Sequence, residues 1–205
     1  MIKITQSNVF NFENAIRGAR NPMNSWDRSD SRYENHVYVL GDNDLKLARN
    51  LCKAGSDHRK FTRQIIVSVD ICAPLYWWKE FDTYKVGTVT NSTSTMHKIH
   101  SKEFNISDFS ADILTDESKN IMNIIIEHLE QLRLKFISTK DKRYWYDMIQ
   151  LLPESYNQLR TCTFNYENVI SMYNARKNHK LNEWVEFCEY LKNLPYIKEF
   201  FINNI

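Results

Sequence analysis

Apolar side chains along this chain recur mostly at helical spacing, with two short runs dense enough in β-branched residues to read as strands. From Asn11 to Arg20, "NFENAIRGAR" puts Phe12, Ala15, Ile16 and Ala19 on one face, with Asn11 placed to cap the start. Arg17 and Arg20, three apart, share another face. Residues 21–36 show no periodicity and read as a loop. "NDLKLARNLCKAG" predicts a second helix with Leu45, Ala48, Leu51 and Cys52 inward and Gly55 as its stop. "RQIIVSVDI" (63–71) is nearly continuous in apolar character, which predicts a strand buried on both faces. Pro74 then fits the first turn of a short aromatic helix, "PLYWWKEF". A long helix follows over about 116–137, with Ile121, Ile125, Leu129, Leu132 and Phe136 at helical spacing. The remainder predicts a helix ending near Pro153, a short strand "LRTCTF", a helix from Asn165 to Arg176 and a closing amphipathic helix "LNEWVEFCEYLKNLP". No repeat or low-complexity linker interrupts the series, so it predicts a single α+β domain over residues 1–205, a mixed sheet with long helices.

One stretch fits none of these patterns. "FDTYKVGTVTNSTSTMHKIH" (81–100) holds five threonines and two serines. It is too polar for a buried strand and too rich in β-branched residues for a good helix. A solvated loop fits it. So does a ribbon whose small hydroxyls, Asn91 and single glycine wrap a polar ligand.

Composition narrows the field. The chain is 42% hydrophobic and 25% charged, as expected of a globular protein with a real core. A net charge of +2 is too small to predict a nucleic-acid surface. The first residues, "MIKITQSNVF", lack the apolar run of a signal peptide, and no apolar run is long enough to predict a membrane span. Cys52, Cys72, Cys162 and Cys188 form no CxxC pair and read as reduced, mostly buried thiols of a cytoplasmic protein. With only four glycines, Gly-rich phosphate loops are excluded, so side chains and helix ends must hold any phosphate.

Candidate chemistry is sparse. His97 and His100 stand three apart without further ligands nearby, which does not predict a metal site. Adjacent Trp77 and Trp78 face different ways, so one core and one partly exposed residue is the expectation; stacking on a flavin, nicotinamide or base is the sharper alternative. Arg176 reads either as a cation at a helix C-terminus or as a nucleotide contact.

The order of landmarks resembles the flavin-dependent thymidylate synthases. "AIRGAR" is similar to that family's Ala-x-Arg-x-Ala/Ser-Arg helix, and "LCKAGSDHRKF" to its Lys-x-Gly turn followed by a His. "IIVSVDICAPLYWWKEF" matches the strand, the Ala-Pro step and the aromatic helix, and "LLP" with "TFNYENVISMYNAR" matches the late region. The signature departs: Thr83-Tyr84-Lys85-Val86-Gly87-Thr88 stands for Arg-His-Arg-x-x-Ser. Likewise Thr90 to Met96 stands for Asn-Glu-x-Ser-x-Arg-Tyr, with Thr95 in place of the phosphate-binding arginine. A later Gln-x-Glu is blurred in "LNEWVEF".

The resemblance implies an FAD-dependent methyltransferase of the thymidylate synthase type, or a related pyrimidine-nucleotide C5 one-carbon transferase. Reduced flavin would carry hydride and methylene between methylenetetrahydrofolate and dUMP, with NADPH as reductant. It implies Arg176 at the pyrimidine, as catalytic and substrate-binding residue, and His58, Lys85, Thr88, Asn165 and Ser171 around FAD. Asn91, Thr93, Ser94, Thr95 and Arg160 are its further candidates for the nucleotide. It also implies a homotetramer. Losing a bidentate arginine weakens a phosphate site by roughly 1.5–3 kcal/mol per charged bond unless Lys85, Lys98, Arg160 or the N–H groups near Gly87 substitute. Two rival readings keep the scaffold: a nucleotide-binding protein without catalysis, and an interaction module with a vestigial pocket and an exposed tryptophan.

Overall fold

The computed structural model describes residues 2–202, and its elements follow the periodicities with a few informative exceptions. In chain order they are β1 (Lys3–Phe10), α1 (Phe12–Arg20), β2 (Arg32–Glu34), β3 (Val37–Val39), α2 (Asp42–Lys53), β4 (Ile66–Pro74) and α3 (Leu75–Phe81). There follow β5 (Val89–Ser92), α4 (Asp116–Thr139), α5 (Lys142–Leu151), β6 (Asn157–Asn165), α6 (Tyr166–Arg176) and α7 (Asn182–Lys192). The fold is α+β: β1, β4, β6 and β5 form a sheet in that order, and β2 pairs antiparallel with β3.

The sheet corrects two expectations. β1 is absent from the sequence reading because most of its residues are exposed on an edge strand, so no apolar alternation marks it. β4 is not buried on both faces. Val67, Val69, Ile71 and Ala73 are buried while Ile66, Ser68, Asp70 and Cys72 are half-buried. The segment 21–36 likewise contains two 3₁₀ turns and β2 rather than a plain loop.

By contact density the chain divides into two units. The first gathers Asp70–Thr83 and Asn91–Thr161 with the start of β1. Its core joins Ile126, Leu129 and Leu132 of α4 to Met148 of α5, with Ile99, Phe104 and Phe109. Ile121, expected on the inner stripe, is 54% exposed, and Ile126 lies inside instead. Both tryptophans of α3 are buried, against the expected split. Trp77 stacks on Phe81 with centroids 5.1 Å apart, and Trp78 donates from Nε1 to the Gln158 carbonyl at 3.0 Å. Neither ring is available for a ligand or an interface.

The second unit holds Thr5–Val69, Tyr84–Thr90 and the chain from Cys162. At its centre Asp44, fully buried, carries a charge that the sequence reading passed over. One carboxylate oxygen accepts from Arg20 Nε at 2.6 Å; the other accepts from Ser29 Oγ, Ser31 Oγ and the backbone N–H groups of Asp30 and Ser31. Arg20 is itself buried and also donates to the Ser25 and Arg28 carbonyls, so it does not share an exposed face with Arg17. Asp30 in turn accepts from Asn43 N and Asp44 N, closing the first turn of α2. Asn11 precedes α1 in a left-handed conformation and caps nothing there; its amide donates to the Gln64 carbonyl at 2.9 Å. Leu45 and Leu51 are only half-buried, while Gly55, at φ +104°, ends the α2 region as expected.

No disulfide joins the cysteines; Cys52, Cys162 and Cys188 are buried and Cys72 half-buried. Burial pushes the Cys52 thiol up to about 12 and the Cys188 thiol up to about 11, and raises Cys72 as well. Neither Cys52 nor Cys188 is a nucleophile at neutral pH. No helix among the described residues is long and apolar enough to cross a membrane.

Burial alone would raise the Asp44 carboxyl, but the Ser31, Ser29 and Arg20 donors outweigh it and hold the group below its ordinary value. A depressed carboxylate stabilises the fold above its unfolded value of about 3.9, and that contribution disappears as pH falls through the folded one. Asp44→Asn, which leaves Arg20 buried without its counter-charge, is expected to cost roughly 3–5 kcal/mol in urea unfolding at pH 7. The loss of stability below about pH 4 should be shallower in the variant than in the native chain.

Candidate functional site

The polar ribbon is anchored on α6 through residues 84–90. Asn165 caps α6, accepting from Asn168 N at 3.0 Å, while the Asn168 side chain accepts from Asn165 N at 3.1 Å. This reciprocal box leaves the Asn168 amide free to donate to the Val86 carbonyl at 2.7 Å, fixing the ribbon against the helix start. Gly87 follows at φ +76°, and a Cβ there would stand 2.7 Å from Asn165 Nδ2, so both conformation and space demand glycine. Thr88 is half-buried, and its hydroxyl oxygen is enclosed without a hydrogen-bond partner.

At the other end of α6, Arg176 meets the same ribbon. Its Nε donates to the Tyr84 hydroxyl at 3.0 Å, and its guanidinium carbon lies 4.8 Å from the Trp184 ring centroid and 5.8 Å from that of Tyr84. His179 Nε2 lies 3.1 Å from Arg176 Nη1, and His179 Nδ1 lies 3.2 Å from the Leu181 N–H. Arg176 is therefore more than a cation completing a helix dipole: its guanidinium lies near two aromatic rings that meet each other, one of them on the ribbon.

The remaining predicted residues fall into two sets. In the second unit, Lys85, Ser171 and His58 are exposed, and among the described residues His58 shares no hydrogen bond with the ribbon. In the first unit, Asn91 is exposed in β5. Thr93 N and Oγ both donate to the Leu159 carbonyl, at 2.9 and 3.3 Å, and the Thr93 carbonyl accepts from the Gln158 amide at 2.7 Å. Ser94 Oγ accepts from His97 N at 2.8 Å, which makes it a turn-former. Thr95 is half-buried. Arg160 is engaged three ways: Nη1 to Asp82 at 2.8 Å, Nε to Gln158 at 2.9 Å, and its guanidinium 4.2 Å from the Trp78 ring centroid. Such a residue orders its surroundings.

Tyr84, Asn168, His179 and Trp184 escaped the sequence reading. Only Asn168 left a signal there, as the second half of Asn-x-x-Asn at a helix start. The cavities flank this region rather than coincide with it. One of about 280 Å³ is lined by Cys52, Arg59, Tyr173 and Phe200 among others, and its Arg59 is held by Glu167 in a two-pronged ion pair. A groove of about 940 Å³ runs beside β1 and β3; no predicted site residue lines either. Among the described residues no group of three His, Cys, Asp or Glu is placed to hold a metal.

With that geometry in hand, solved structures provide the comparison. Thymidylate synthase X from Helicobacter pylori, crystallised with FAD and dUMP, aligns at TM-score 0.73 and 15% identity over 98% of each chain. The fold is that of the flavin-dependent thymidylate synthases. The UMP/dUMP methylase PolB from Streptomyces cacaoi, bound with 5-Br dUMP, aligns at TM-score 0.62 and 13% identity over 94% of this chain and 88% of its own. No protein-family model matches the sequence, nor does any curated protein.

The residues present fit a flavin in part. The enclosed Thr88 hydroxyl is a donor in want of an acceptor, and Lys85 supplies a positive charge. Gly87→Ala should misplace this segment and destabilise the protein by about 1–2 kcal/mol, the cost of a left-handed backbone at a residue with a Cβ, raised further by the contact with Asn165. Urea unfolding together with limited proteolysis at 84–90 would register both effects.

Proposed function

We propose that this chain is a divergent enzyme of the flavin-dependent thymidylate synthase type, or a related one-carbon transferase acting at C5 of a pyrimidine nucleotide such as dUMP. The observation that carries this reading is the shared fold over 98% of the chain, combined with Arg176 closing α6 against the polar ribbon. FAD would supply the redox chemistry, with methylenetetrahydrofolate and NADPH as co-substrates. The protein's part is to bind, orient and exclude water.

In this reading Arg176 addresses the pyrimidine. A half-buried guanidinium beside aromatic rings donates hydrogen bonds to carbonyl oxygens more strongly than one in water. Lys85, Thr88, Asn165, Ser171 and His58 are the candidates for holding flavin, and Asn91, Thr93, Ser94, Thr95 and Arg160 for the rest of the nucleotide. Residues 1–205 would act as one cytoplasmic domain within a homotetramer, which light scattering would test by mass.

A second reading, a nucleotide-binding protein without catalysis, draws on the engagement of Arg176 with Tyr84 and of Arg160 with Asp82, and on Thr95 in the place of a phosphate-binding arginine. The interaction-module reading loses its motive, because Trp77 and Trp78 are both buried.

Purified protein should show the visible absorbance of bound flavin and convert dUMP to dTMP with methylenetetrahydrofolate and NADPH. Arg176→Ala should lower kcat/KM for dUMP by at least about tenfold, the equivalent of one charged hydrogen bond. A colourless protein that neither binds added FAD nor makes dTMP refutes the enzyme reading. Calorimetric binding of dUMP without turnover selects the second.

A further inference from the structure

Arg176 is satisfied from within by a residue of the ribbon it faces. Tyr84 gives its phenol oxygen to Arg176 Nε at 3.0 Å, and the fully buried Trp184 lies with its ring centroid 4.8 Å from the same guanidinium. Tyr84 and Trp184 meet edge to face with centroids 6.1 Å apart. A phenol oxygen that accepts from a guanidinium N–H offers the same acceptor chemistry as a ring carbonyl of a pyrimidine.

Tyr84 is also in a position to leave. It is half-buried, its neighbours Thr83, Lys85, Val86 and Gly87 are exposed, and the segment's backbone is tied to the start of α6 at the Val86 carbonyl. Rotating the phenol away gives up its hydrogen bond to Arg176, its ring contact with that guanidinium and its edge contact with Trp184.

We propose that Tyr84 is an internal competitor for the base-binding edge of Arg176, so that a pyrimidine nucleotide binds by exchanging its carbonyl for the Tyr84 hydroxyl. This deepens the reading of Arg176 as the pyrimidine contact and rests on it. The exchange sets a threshold. Apparent affinity is the intrinsic affinity reduced by the fraction of chains in which Tyr84 has swung clear. It also sets specificity, because a base must present an acceptor better than a phenol oxygen to that edge, as uracil does and a ring without carbonyl groups does not.

The test is calorimetry of dUMP binding to the full chain, native and with Tyr84→Phe, which keeps the ring but removes the acceptor. Tyr84→Phe should bind about tenfold tighter, the equivalent of one hydrogen bond to a charged group. Tyr84→Leu, which keeps apolar bulk against Trp184, should shift the same way, so a folding fault in one variant leaves the other as the test. In an Arg176→Ala background the gain must vanish, since there is then no edge to compete for. Equal or weaker binding by both folded Tyr84 variants overturns the competitor role; if Arg176→Ala still abolishes native binding, the nucleotide reading stands without it. A gain that survives Arg176→Ala overturns it too. If no variant binds dUMP, both ideas fall together.

Discussion

A single buried carboxylate organises the amino-terminal half of the larger unit. Asp44 has no exposed surface, yet it is charged, because five donors surround it and one belongs to an equally buried arginine. A lone buried charge is expensive, and the folded state tolerates this one only while α1, the 25–31 turn and the first turn of α2 stay in register. The arrangement is all-or-none: each donor lost leaves the remaining charge less compensated. That coupling gives the unit a rigid shoulder although its connecting segments are rich in Ser, Asp and Asn rather than apolar residues.

The same economy recurs at α6, with a different balance. There the charged group, Arg176, donates to the Tyr84 phenol, lies against the Trp184 indole and stands 3.1 Å from the His179 ring. Arg160 in the other unit pairs with Asp82 while its flat face covers Trp78.

What could be read from the sequence follows this physics. α6 was legible because its start signal, Asn165, and its buried positions, Val169 and Met172, are local. β1 was not, since an edge strand with most positions exposed carries no alternation. Asp44 looked like an ordinary acidic residue in the first turn of a helix, where carboxylates are common for dipole reasons, and nothing nearby announced the arginine 24 positions earlier. At the site, the landmarks brought out Arg176 and the ribbon, but the Tyr84 contact spans 92 positions and Trp184 enters from a further helix. Residues that act alone leave local marks. Partners brought together by folding do not.

The thiols lead to something practical. With Cys52 near 12 and Cys188 near 11, on the order of one molecule in ten thousand or fewer carries either as a thiolate at pH 7. Maleimides and mild oxidants therefore find little to attack in the native protein, half-buried Cys72 being the first place they would. A cysteine introduced on the exposed ribbon would react far ahead of the natural ones, so a single fluorophore could be placed beside α6 in an otherwise unaltered chain.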